Sequence, residues 1–290
     1  MGRGAEMLAL ICGLASALSW AVHDLLVRKL AQAGSVLPMM LVVVSAGCVA
    51  MAAAALVWGG WEQMTGVAYG YALATGVAYV VGMLGLYRAF QLAPVRIVAP
   101  VLGSFPIISL GIAAWQGAAV GVMEWLAVLA IVAGIAVVAL HSADEGGGQR
   151  PPLVPALLWA ALGAVGFALT FALGQEAVRQ GAVVPTVLVA RLTSAAVIAG
   201  MVLAVRAPVG QVRGSLRLLA LMGVLDATAL ALVQAAARLP HPEYASVASS
   251  LFGVLTILLA WRFLGERVQR LQWAGIAVVF AGIGVLSAQG

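Results

Sequence analysis

Continuous apolar segments, each long enough to cross a lipid bilayer as a helix, recur along this chain and decide its class before any motif is read. Ten can be drawn, near residues 7–28, 36–58, 67–90, 96–115, 121–141, 153–175, 183–205, 215–237, 244–263 and 271–288. A hydrocarbon core of about 30 Å is spanned by about 20 helical residues. The runs are Leu/Ala-rich without strict alternation, which predicts helices rather than the strands of a barrel. Of the 290 residues 64% are hydrophobic and only 9% charged. A soluble fold cannot hide so much apolar surface, so lipid is the solvent. Residues 7–27 read as a span and not as a cleaved leader, because the apolar region is long and similar segments follow it. The expected fold class is an all-α integral membrane protein with ten transmembrane helices.

The longest polar break, "HSADEGGGQRPP" at 141–152, divides two halves that resemble each other. "AQAGSVLP" (31–38) parallels "VRQGAVVP" (178–185), and "AFQLAPVRIVAPVLGSFPI" (89–107) parallels "AARLPHPEYASVASSLFGV" (236–254), both at an offset of 147 residues. This aligns Gly34 with Gly181, Phe105 with Phe252 and Tyr79 with Asp226. "EWLAVLAIVAGI" and "QWAGIAVVFAGI" continue the match one insertion later. The expected organisation is a first five-helix repeat over 7–141, a linker at 142–152 and a second repeat over 153–288. An odd number of spans per repeat turns the second over relative to the first. That is the inverted-repeat plan of many secondary transporters, with a solute site near the bilayer midplane.

Several classes fall away. No P-loop, metal-spaced His/Cys cluster or nucleophile elbow is present, so no cofactor, metal or internal ATPase is expected. The net charge of +5 comes from basic residues scattered singly between apolar runs. They read as topology markers, not a nucleic-acid surface. Cys12 and Cys48 sit in apolar surroundings and read as small hydrophobes.

Polar groups inside lipid are costly and usually functional. Asp226, in "MGVLDATALALVQ", falls near the middle of its span. It reads as a contact for a substrate amine, a proton carrier, or a structural hydrogen bond to another helix. Arg191, in "LVARLTSA", is also too deep to reach water, and reads as a carboxylate clamp or the ionic partner of Asp226. Near the end of the first span, Ser16, Ser19, Trp20 and His23 form one stripe, a candidate cavity lining. Asp24 diverges from His23 by about 100° and is four residues before Arg28, which predicts a local ion pair with that arginine. His23, Asp24 and Asp226 are candidates for proton coupling. Tyr79 and Tyr87 share a broad face. Pro100 and Pro106 break the fourth span. Ser246, Ser249, Ser250 and Gly253 in the ninth present small residues to a neighbouring helix or a thin cavity wall.

"LLAWRFLGERVQRLQWAGIAVVFAGIGVL" (258–286), "LSWAVHDLLVRK" in the first span and "VARLTSAAV" in the seventh resemble the EamA type of the drug/metabolite transporter superfamily, over nearly the whole chain. The resemblance implies ten helices around a central cavity, alternating access, a multi-pass place in the bacterial inner membrane and both termini in the cytoplasm. The sequence departs from that pattern in three ways: His23-Asp24 stands where Asn and an apolar residue are common, Val44 matches Arg191, and the 59–66 loop lacks a basic cluster. Counting Lys and Arg at span ends gives the opposite orientation, with both termini outside.

The expectation is a secondary transporter, an exporter of small polar metabolites such as amino acids. Trp20, His23, Tyr79, Trp115, Arg191, Asp226, Ser246 and Ser250 would bind the solute. Asp226 would meet its amine, Arg191 its carboxylate, and Trp20, Tyr79 and Trp115 its side chain. The alternatives are an exporter of cationic amines or quaternary ammonium compounds held by Asp226 and aromatic faces, and an intramembrane enzyme using His23 and Asp24. The expected partners are a small solute and the bilayer, and a monomer is expected.

Overall fold

The computed structural model describes residues 2–32, 34–115, 121–141, 152–236, 238–239, 248–249 and 251–289. Every regular element among them is helical: α1 (Gly2–Ala31), α2 (Val36–Trp58), α3 (Gly66–Leu92), α4 (Val95–Gly103), α5 (Phe105–Trp115), α6 (Val122–His141), α7 (Leu153–Arg179), α8 (Val183–Ala204), α9 (Leu216–Ala236), α10 (Phe252–Leu259) and α11 (Arg270–Gln289), with short 3₁₀ or π turns between some of them. Six of these, α1, α2, α3, α7, α8 and α9, contain stretches long and apolar enough to cross a bilayer. Val122–Val138, Phe252–Leu264 and Arg270–Val285 are shorter apolar helices. The outer surface is as apolar as the interior: Leu56 is 90% exposed and Val57 75%. A surface of that kind is stable against acyl chains and not against water.

The breaks form where local chemistry requires them. Thr65 caps α3, its Oγ1 accepting from Ala68 N at 3.1 Å. The preceding turn needs Gly60, at φ 94°, both for its left-handed backbone and because a Cβ there would come 2.9 Å from that of Ala182. The fourth span breaks at Ser104, whose N–H and Oγ both donate to Val101 O (3.2 and 2.7 Å). Pro106 then occupies the first turn of α5, where a missing N–H costs little.

Packing follows the repeat. α3 lies on α7 and its counterpart α9 lies on α1; α2 meets α9 as α8 meets α3; α5 touches α7 as its counterpart α10 touches α1. α2 packs on its own counterpart α8, and α6 on α11. Exchanging the two halves therefore maps these main helix contacts onto one another. The tightest seam is α3–α7. A Cβ added to Gly85 would fall on the backbone of Gly163, and one on Gly166 would fall on Gly82. Small residues let two backbones approach this closely without a hydrophobic driving force.

Candidate functional site

Residues of both halves line one shared cavity. Its wall is built from matched pairs at the 147-residue offset: Trp20 with Phe167, His23 with Thr170, Asp24 with Phe171, Tyr79 with Asp226, Met83 with Leu230, and Phe105 with Phe252. Leu86 and Tyr87 complete the described lining, and their counterparts Val233 and Gln234 are not part of it. Helices α1, α3, α7 and α9 supply most of the wall, and the first residues of α5 and α10 close it.

Asp226 sits at the centre of α9, 4% exposed, and receives three donors. Trp20 Nε1 reaches Oδ1 at 3.1 Å, and Tyr79 Oη and Arg191 Nη1 both reach Oδ2, the latter at 2.5 Å. The pseudo-equivalent pair Tyr79 and Asp226 thus touch each other directly. Arg191 comes from α8 and is 1% exposed. Its guanidinium carbon also stands 4.2 Å from the centre of the Tyr79 ring. An ion pair this deep is viable only with such added hydrogen bonds, and it neutralises both charges.

The second polar cluster is His23, Asp24 and Tyr87. His23 Nδ1 and Asp24 Oδ1 are hydrogen-bonded at 2.9 Å, and both residues are buried. The Tyr87 hydroxyl lies 3.5 Å from His23 Nε2. Asp24 Oδ2 has no hydrogen-bond partner among the described residues. Aromatic rings enclose the cavity: Trp20 meets Phe171 and Phe252 edge-on, with centroids 5.8 and 6.0 Å apart, and Phe105 lies 5.0 Å from Phe171.

Several expectations change. Asp24 does not pair with Arg28. It turns into the cavity, and Arg28 Nε instead binds Glu266 Oε1 at 2.9 Å, while its Nη1 donates to Phe90 O. Glu266 Oε2 caps the start of α4 by accepting from Val95 N at 2.9 Å. His23 and Asp24 meet across their angular separation because both side chains lean into one wide cavity. Ser16 and Ser19 do not line it: Ser16 is sealed between α1 and α9, donating to Ala229 O, and Ser19 donates to Ala15 O of its own helix. Trp115, at the end of α5, is 88% exposed and far from the rings it was expected to join. Arg191 faces Asp226 and Tyr79 and is not part of the cavity wall. Trp20, His23, Tyr79 and Asp226 do line it. Ser246 and Ser250 lie outside the described residues.

Phe105, Phe167, Phe171, Phe252 and Thr170 were missed as wall residues. The offset pairing Trp20 with Phe167 and His23 with Thr170 was the available signal.

Two matched sets of helices long and apolar enough to cross a membrane, meeting at a shared cavity, define a membrane transporter of the internal-repeat class. The chain belongs to the EamA-like transporter family, whose model matches residues 7–140 and again 154–288. One solved crystal structure superposes with a TM-score of 0.67, covering 96% of this chain and 95% of that one at 21% identity, a likeness that carries the fold alone. Comparison with curated proteins gave no match.

Proposed function

We propose that this transporter carries small amines with an apolar or aromatic body, by alternating access between two inverted five-span repeats. The α4–α5 pair and the stretch ending at Leu264 each count as one broken crossing, giving ten spans. One observation carries the choice of solute: Arg191 turns its guanidinium to Asp226 and Tyr79, off the cavity wall, whereas Asp24 Oδ2 is a carboxylate oxygen on an aromatic wall without a partner among the described residues. A solute ammonium group fits beside that oxygen, and its body fits among Trp20, Phe105, Phe171 and Phe252. A zwitterion would bring its own carboxylate to a wall that carries no guanidinium among its described lining residues. The alternative read from the sequence, cationic amines, is therefore preferred over amino acids.

His23 and Asp24 also suit proton coupling. A proton taken up at this pair removes the negative charge that holds the amine, so proton and solute compete for one place. Inward proton movement then expels amine without a second site. The test is counterflow in proteoliposomes with radiolabelled phenethylamine, phenylalanine and phenylacetate. Phenethylamine should exchange, and Asp24→Asn should slow that exchange at least tenfold with folding retained. Exchange of phenylalanine without phenethylamine would overturn the assignment.

A further inference from the structure

The cavity is symmetric in six matched pairs and asymmetric at two neighbouring positions, Leu86 and Tyr87. Tyr87 lines it; Gln234, its counterpart at the 147-residue offset, does not. Yet Gln234 is the more costly of the two to bury. It is 1% exposed, and neither Nε2 nor Oε1 has a hydrogen-bond partner among the described residues. Both polar ends of a buried amide left without partners cost free energy that a leucine or methionine there would avoid. The side chain is tucked against Gly174 of α7, where a Cβ would come 2.5 Å from Nε2, with Thr75 of α3 alongside. The matching position of Gly174 in α1 is Val27, which leaves no such recess beside Tyr87.

In a carrier built from inverted repeats, the conformation facing one side is related to the conformation facing the other by exchanging the roles of the halves. Under that exchange the wall that now includes Tyr87 on His23 becomes a wall that includes Gln234 on Thr170. We infer that Gln234 is a solute-binding residue of the opposite-facing state, its amide oxygen accepting from the solute's amine. In the present state it is parked without partners in the Gly174 recess. This rests on the alternating-access reading above, and it gives the unpartnered amide a reason to be there. The two ends of the transport path are then unlike: an imidazole–carboxylate–phenol cluster on the Arg28 side, and a neutral amide with the Thr170 hydroxyl on the Arg238 side. The solute would be held by charge at one end and released from a neutral acceptor at the other.

The test uses the full-length chain with Cys12→Ala and Cys48→Ala, which removes the native thiols. Tyr87→Cys and Gln234→Cys are each labelled with a membrane-impermeant maleimide in right-side-out and in inside-out vesicles. The two cysteines should react from opposite sides. Gln234→Cys reacting from the same side as Tyr87→Cys, or from neither side while phenethylamine counterflow persists, overturns the inference. A second variant needs no labelling. Gln234→Met should raise the melting temperature in detergent, because it removes two unpartnered polar atoms. It should also lower phenethylamine turnover per folded molecule at least fivefold. A purely structural glutamine predicts the reverse: lower stability with turnover unchanged. Failure of phenethylamine to exchange in the parent chain, with opposite-side labelling intact, would sink the amine assignment and leave the role of Gln234 standing.

Discussion

The α3–α7 and α1–α9 seams occupy equivalent places in the two halves and are built differently. At α3–α7, Gly82 and Gly85 face Gly166 and Gly163, and the backbones meet with nothing between them. At α1–α9 the matching positions include Ser16 and Ala229, joined by a hydrogen bond of 3.0 Å. The next contact along each seam repeats the contrast. Phe167 meets Tyr79 as a ring pair with centroids 6.3 Å apart, whereas their counterparts Trp20 and Asp226 form a hydrogen bond. One seam rests on close backbone contact along its length, with a hydrogen bond at its end from Thr65 Oγ1 to Gln180 O (3.0 Å). The other depends on polar bonds that can break and re-form. Such a difference suits a carrier in which one contact serves as a stiff pivot and the other yields.

Arg191 ties the seams together, since it holds Asp226 of α9 and lies over Tyr79 of α3. The largest expected effect is therefore Arg191→Gln. Leaving the buried Asp226 carboxylate without its ionic partner should cost about 3–5 kcal/mol, read as a loss of thermal stability in detergent. The pair Arg191→Met with Asp226→Asn should recover most of it, because neither charge then stands alone. Next comes Gly85→Val, which places a side chain inside the Gly163 backbone and should cost about 3 kcal/mol or more. Gly70→Ala on the same helix meets nothing within 4 Å. It should leave stability equal or raise it by about 0.5 kcal/mol. Smallest is Ser16→Ala, which removes one hydrogen bond across the α1–α9 seam and should cost about 1 kcal/mol. Amide exchange in α1 should quicken while α3 is unchanged. If Ser16→Ala proved as damaging as Gly85→Val, the stiff-and-yielding distinction would be lost.

Much of the fold was legible in the sequence. The apolar runs marked the helices, and Pro106 marked the break in the fourth span, whereas Pro100 lies inside α4 without ending it. The repeat offset aligned Tyr79 with Asp226, which turn out to touch. Depth along a span placed Asp226 and Arg191 in the interior. Their mutual pairing was only one of two readings, since depth does not say which way a side chain points. The same limit explains Trp115, an aromatic residue at a helix end whose rotation about the axis turns it outward. Glu266 lies in the 258–286 stretch that carries the family resemblance, but its bonds to Arg28 and to Val95 N join α1, α4 and the approach to α11. No local pattern reports a contact among three distant segments.

By itself the sequence determined the solvent, the helices and the doubling of the chain. Hydropathy and periodicity are properties of consecutive residues, and a repeat can be read along one line. Tertiary structure alone decided which charges are spent on each other and which face the cavity. That depends on how far each helix is rotated and how closely its neighbour approaches, as the glycine contacts of α3 with α7 and of α9 with α2 show. Arg191 lies off the cavity wall, Asp24 lies on it, and Gln234 is buried outside it without a partner among the described residues.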